Sequence, residues 1–117
     1  MDDYLQLAQL MKTLAHPARL AILDLLRDGE VCVCHLEAAL HQRQAYISQQ
    51  LALLRDAGLV ADRREGWRIY YHVILPQVFE IIDAAGRLTG YDTPRYPRTV
   101  LEDCACPTCE SRKEAVT

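Results

Sequence analysis

The stretch Gln44–Val73, QAYISQQLALLRDAGLVADRREGWRIYYHV, decides how this chain folds. Its first part sets Ile47, Leu51 and Leu54 on one side of a helix from about Gln44 to Ala57. Gly58 stands where a C-terminal cap belongs. The period then changes. Leu59-Val60-Ala61-Asp62-Arg63-Arg64 reads as a strand, and Glu65-Gly66 as a turn. Trp67-Arg68-Ile69-Tyr70-Tyr71-His72-Val73 is the return strand, completing a hairpin.

Upstream, Leu5, Leu7, Leu10, Met11 and Leu14 repeat at helical spacing over about residues 3–15. His16-Pro17 breaks that helix, and Pro17 suits the first turn of a second, with Leu20, Ile22, Leu23, Leu25 and Leu26 apolar. Asp28-Gly29 ends the second helix, and a short third is expected from about Val33 to Leu40. Downstream, Pro76 opens a last helix reaching about Gly90, with Val78, Phe79, Ile81, Ile82 and Leu88 apolar. Helix, helix, short helix, helix, hairpin, helix is the order of a winged helix-turn-helix, mainly α with a β-hairpin. Residues 1–90 form that domain, and residues 91–117 form a proline-containing tail with three of the five cysteines.

At 117 residues the chain is one domain's worth, half apolar and a quarter charged, which is globular composition. No apolar run approaches the roughly 20 residues of a membrane span, and Met1-Asp2-Asp3-Tyr4 does not open a signal peptide. No membrane partner is expected, and a cytoplasmic location is, where thiols stay reduced. Five cysteines are an odd number, so metal or redox chemistry is favoured over a complete disulfide framework.

The net charge of −3 is unevenly spread. Residues 43–72 carry five arginines against three carboxylates, while the segments on either side are net acidic. The helix of this basic third is read as turning Gln44, Tyr46, Ser48, Gln49 and Gln50 outward. Glutamine can pair with adenine N6 and N7 in the major groove, and serine can serve a base or a phosphate. Any amphipathic helix has a polar face, so the hairpin decides. Arg63, Arg64 and Arg68 gather at its tip, where arginine suits phosphate contacts and minor-groove insertion. Trp67 can pack beneath that tip or lie against the DNA backbone, packing being the expected role. Double-stranded DNA is the partner this surface fits.

The runs LAHPARLAILDLL (14–26), VCVCHLEAAL (31–40) and AYISQQLALLRDAGLVADRREGWRIYYHV (45–73), in that order, resemble the ArsR/SmtB family of metal-responsive bacterial repressors. The resemblance spans about residues 9 to 75. It implies a homodimer, built from the first and last helices, that sits on an operator and leaves it when an effector binds. The apolar stripes Leu5, Leu10, Leu14 and Val78, Phe79, Ile82 would form the two-fold interface.

Arsenic- and soft-metal-sensing members carry a cysteine pair in the third helix, in a motif close to Glu-Leu-Cys-Val-Cys-Asp-Leu. Cys32 and Cys34 match that pair, and His35 replaces the aspartate. In one branch a further cysteine follows three residues later; that position is Glu37 here, leaving the helix one thiolate short. Thiolates select thiophilic ions, so As(III) or Sb(III) is the expected effector, with Cd, Pb or Zn as alternatives. The pair on its own also fits two buried free cysteines packed as small hydrophobes.

Cys104, Cys106 and Cys109 in the tail can supply missing ligands. They complete the Cys32/Cys34 site in the favoured arrangement; a separate tail site or a structural zinc are the other two. The family's other site type uses histidine and carboxylates on the last helix, which offers Glu80 and Asp83 but no histidine. A thiol-redox or persulfide sensor is the rival regulator. The Cys106-Pro107-Thr108-Cys109 spacing occurs in thiol oxidoreductases, but there it follows a strand and opens a helix. Neither an enzymatic activity nor a small organic substrate is expected.

Overall fold

Local chemistry sets the element boundaries over residues 1–90, the part that the computed structural model describes. Helix α1 is Asp2–Leu14 and α2 is Pro17–Leu25. Between them His16 takes an extended backbone, and its Nδ1 accepts the Ala18 N–H at 3.1 Å, with Pro17 in the first turn. A two-residue strand, β1 (Val31–Cys32), leads directly into α3 (Val33–Leu40). His41 ends α3 in the left-handed region at φ 52°, so a three-residue turn reaches α4 (Gln44–Asp56).

Gly58, at φ 78°, closes α4 by a reverse turn. Its N–H reaches Arg55 O at 2.9 Å, and the Leu59 N–H reaches Leu54 O at 3.1 Å, the paired bonds of a Schellman cap. Strands β2 (Val60–Glu65) and β3 (Arg68–Val73) follow, then α5 (Gln77–Leu88). Glu65 pairs with Arg68, so the hairpin loop is Gly66-Trp67, one residue later than the spacing suggested. Gly66 has φ 62°, as the first position of such a two-residue loop requires.

The sheet is larger than a hairpin. β1 pairs antiparallel with the free edge of β3, Val31 opposite Tyr71 and Cys32 opposite Tyr70, giving the order β1-β3-β2. The fold is a winged helix-turn-helix whose wing carries the entry to α3 as its third strand. The core lies between α2, α3, α4 and the inner sheet face, where Ile22, Leu23, Leu36, Ile47, Leu51 and Leu54 have no exposed surface. Each such side chain contributes about 1.5–3 kcal/mol by leaving water.

α5 returns to this core through Val78 and Ile82, and Leu14 joins it from α1. These three residues of the expected two-fold stripes are therefore packed within the protomer. The large apolar side chains left outside on α1 are Tyr4, Leu5, Leu7 and Met11, and Leu88 is outside on α5. Arg27 ties α5 down. Its Nη2 and Nη1 donate to Asp83 at 2.9 and 3.0 Å, its Nε donates to Asp24 at 3.1 Å, and its guanidinium lies 4.6 Å from the Phe79 ring centre. The bonds to Asp83 hold Arg27 charged beyond its ordinary range. No helix among the described residues is long and apolar enough to cross a membrane.

Candidate functional site

Helix α4 presents Gln44, Ser48 and Gln49 to solvent, with Arg43 and Ala45 beside them at its start. Two expected members of that face are placed elsewhere. Gln50 is only 5 % exposed; its Oε1 accepts Arg19 Nε at 2.9 Å, because position 50 shares the inward side with Ile47, Leu51 and Leu54. Arg19 also donates to Thr13 O at 2.9 Å, so Gln50 links the reading helix to the end of α1. Tyr46 is half-buried against the core. Arg43 was counted among the cations but not as a site residue. Its position one residue before the helix is the signal that points to it.

The wing arginines differ from one another. Arg64 is exposed on β2. Arg63 is clamped, with Nη2 and Nε donating to Glu30 at 2.6 and 3.2 Å and Nη1 donating to Glu65 at 2.8 Å. It also lies over the Tyr70 ring at 4.7 Å, and its charged form is held well above the usual guanidinium range by Glu30 and then Glu65. Arg68 is half-buried and stacks on Trp67 at 4.4 Å. Trp67 does not pack beneath the tip: it is 79 % exposed, because it is itself a loop residue. Arg55, at the far end of α4, sits 4.0 Å from Asp62 of β2.

The cysteine pair occupies the junction of sheet and helix. Cys32 is the last residue of β1 and the N-cap of α3, and its Sγ accepts the His35 N–H at 3.4 Å. Cys34 lies in the first turn of α3, and the two sulfurs are joined as a disulfide with the Cα atoms 5.4 Å apart. The extended backbone at Cys32 lets the two side chains converge. Cys32 is 2 % exposed and Cys34 is half-buried, so solvent reaches the pair from the Cys34 side. The sequence alone points to two thiols; the bridge is their oxidised form.

A cleft of about 230 Å³ opens beside the pair. Cys32, Val33, Cys34 and Glu37 line it from the β1–α3 junction, Gln44 from the start of α4, and Trp67, Arg68 and Ile69 from the wing. It thus joins the cysteines to the start of α4 and to the tip of the wing. Among the described residues no three metal-ligating side chains converge. Cys104, Cys106 and Cys109 lie outside the described residues. On α5, Asp83 is engaged by Arg27 and Glu80 is exposed, so neither is arranged with a histidine around an ion.

Residues 16–62 match the model of the bacterial regulatory protein family named for arsR. The biofilm growth-associated repressor of Agrobacterium fabrum (strain C58) is 47 % identical over 79 residues, covering 68 % of each chain. The arsenical resistance operon repressor of Escherichia coli (strain K12) is also 47 % identical, over 83 residues, covering 68 % of this chain and 71 % of that one. Among solved structures, the homodimeric winged helix-turn-helix DNA-binding domain Mb0332 of Mycobacterium bovis superimposes with a TM-score of 0.64 at 34 % identity. That match covers 77 % of this chain and 88 % of the other.

Proposed function

The chain belongs to the ArsR family of bacterial regulatory proteins, a family of DNA-binding transcriptional repressors and not of enzymes, and on that premise we propose its effector and how it acts. The protein is a homodimer on operator DNA that dissociates when a thiophilic ion, As(III) or Sb(III) foremost, binds the thiolates of Cys32 and Cys34. The observation that carries this reading is the position of Cys32. It is at once a strand residue of the wing sheet and the N-cap of α3, whose partner in the helix-turn-helix is α4. An ion drawing the two sulfurs together acts on the wing and on the reading pair through one residue.

Two thiolates leave a pyramidal As(III) one ligand short, and the reading assigns the third to Cys104, Cys106 or Cys109 in the segment 91–117. Dimer formation draws on Tyr4, Leu5, Leu7 and Met11 of α1 and Leu88 of α5, large apolar groups that one protomer leaves in water. Each recognition surface consists of Gln44, Ser48 and Gln49 with Arg64 and Arg68 of the wing, Arg43 adding charge at the helix start. Tyr46 and Gln50 support that surface from behind, and Arg63 adds an exposed cation to the wing that Glu30 and Glu65 hold. The 47 % identity to the arsenical resistance operon repressor supports the arsenic assignment over Cd, Pb or Zn.

A thiol-redox or persulfide-responsive repressor is the second reading, and the Cys32–Cys34 bridge favours it. Operator release separates the two. As(III), Sb(III), Cd(II), Zn(II) and a polysulfide are titrated into the reduced protein bound to its operator, with Cys32→Ser and Cys34→Ser variants in parallel. The ion reading requires release by As(III) that both substitutions abolish. Release by polysulfide alone supports the redox reading, and normal As(III) release in both variants removes Cys32 and Cys34 as the site.

A further inference from the structure

The disulfide has two unlike ends. Cys32 Sγ is buried at the start of α3, where it accepts the His35 N–H at 3.4 Å. Both cysteines line the 230 Å³ cleft with Glu37 and Arg68, but Cys34 is the more exposed of the two. Thiol–disulfide exchange needs access to the attacked sulfur and a stabilised leaving sulfur. Access favours Cys34. Stabilisation favours departure of Cys32, whose sulfur anion meets a backbone N–H at the positive end of a helix.

The cleft also carries one charge of each sign, a carboxylate on α3 and a guanidinium on β3. An α-amino acid head has the complementary pair, and the volume suits a ligand well below drug size. We propose that Cys34 is a modification site for small amino-acid thiols of the cysteine class, seated with their carboxylate toward Arg68 and their ammonium toward Glu37. This goes beyond the ion reading and does not depend on it.

The step balances without a further oxidant. The incoming thiolate sulfur bonds to Cys34 Sγ, the Cys32–Cys34 bond breaks, and its electron pair leaves on Cys32 Sγ. The small thiol is oxidised to the mixed disulfide while Cys32 is reduced to the thiolate. A second thiol then displaces the first from Cys34 as a symmetric disulfide, and the pair is left as the dithiol. Exchange at Cys34 therefore converts the bridged chain into the form that binds ions. The adduct, while present, fills a cleft walled by Gln44 of the reading helix and Trp67 of the wing.

The test uses the full chain with Cys104→Ser, Cys106→Ser and Cys109→Ser, its remaining pair closed by a mild diazene oxidant. It is exposed to L-cysteine, 3-mercaptopropionate, cysteamine and 2-mercaptoethanol, then quenched, alkylated and mapped by mass spectrometry. Expected is a mixed disulfide on Cys34 with Cys32 alkylated. Arg68→Met should slow 3-mercaptopropionate and L-cysteine by about 3-fold or more relative to 2-mercaptoethanol, the scale of one partly exposed ion pair. Glu37→Gln should slow cysteamine in the same way. An adduct on Cys32, slowing that ignores the charge of the thiol, or a pair that never closes overturns the proposal. Operator release by As(III), measured on the reduced chain with its native tail, reports on the ion reading separately.

Discussion

Cys32 stands directly opposite Tyr70 in the β1–β3 pairing, and Tyr70 stands opposite Arg63 across the β3–β2 pairing. One row of the sheet thus runs from the cysteine pair to the wing arginine. Glu30, two residues before Cys32, closes the same connection at side-chain level through its 2.6 Å bond to Arg63. The wing and the strand that carries Cys32 form one sheet, so a force on Cys32 is a force on the wing.

That clamp has a consequence for DNA affinity. Glu30→Gln removes one of the two carboxylates that hold Arg63, whose side chain is 45 % exposed, and so frees part of that cation for the proposed DNA contact. Operator affinity is predicted to rise about 2- to 5-fold, with the salt dependence steeper by about one unit of slope. Titrations at several salt concentrations check this. An unchanged slope contradicts it.

The neighbouring glutamines are predicted to separate binding from stability. Gln49→Ala weakens operator binding, by about 1–3 kcal/mol if the side chain reads a base, and leaves the thermal midpoint alone. Gln50→Ala removes the acceptor of Arg19 Nε and destabilises the fold by about 1 kcal/mol. Thermal melts and anisotropy on the two variants decide; the reverse pattern refutes the helix phase described here.

The phase error at Gln50 shows what the sequence conveyed and what it did not. Ile47, Leu51 and Leu54 fixed the inward side of α4, and all three are buried as read. Position 50 lies three residues after Ile47 on that same side, but a glutamine there reads as outward until a partner is known. The partner, Arg19, is 31 residues away, a distance no local pattern spans. β1 escaped for a different reason: two residues contain no period, and Val31-Cys32 becomes a strand only because β3 has a free edge. The α3 bounds and the Gly58 cap were legible because each rests on a residue type whose chemistry is local.

Arg27 is predicted to hold α5 on the core. Arg27→Met leaves Asp83 and the 8 %-exposed Asp24 without their cation and should cost about 1–3 kcal/mol. Chemical denaturation measures the loss. Because α5 carries part of the proposed interface, sedimentation should also show weaker dimerisation, and wild-type stability in this variant would contradict the role.

Tyr71 gives a pH signature. Burial raises its phenol above the ordinary value, so the folded chain favours the neutral form. The associated stability is fully present below pH of about 10 and is lost as pH rises through the raised value. Stability measured from neutral pH upward should fall beyond that point in wild type and fall less in Tyr71→Phe. Parallel curves for the two proteins exclude Tyr71 as the cause.

The central claim is that an ion at Cys32 and Cys34 is energetically linked to DNA, and linkage is reciprocal. The most direct measurement is the As(III) affinity of the reduced protein, free and saturated with operator. The account predicts weaker As(III) binding on DNA, by the same factor as As(III) weakens operator binding, and loss of that factor in Cys32→Ser/Cys34→Ser. Equal As(III) affinity with and without operator would contradict it.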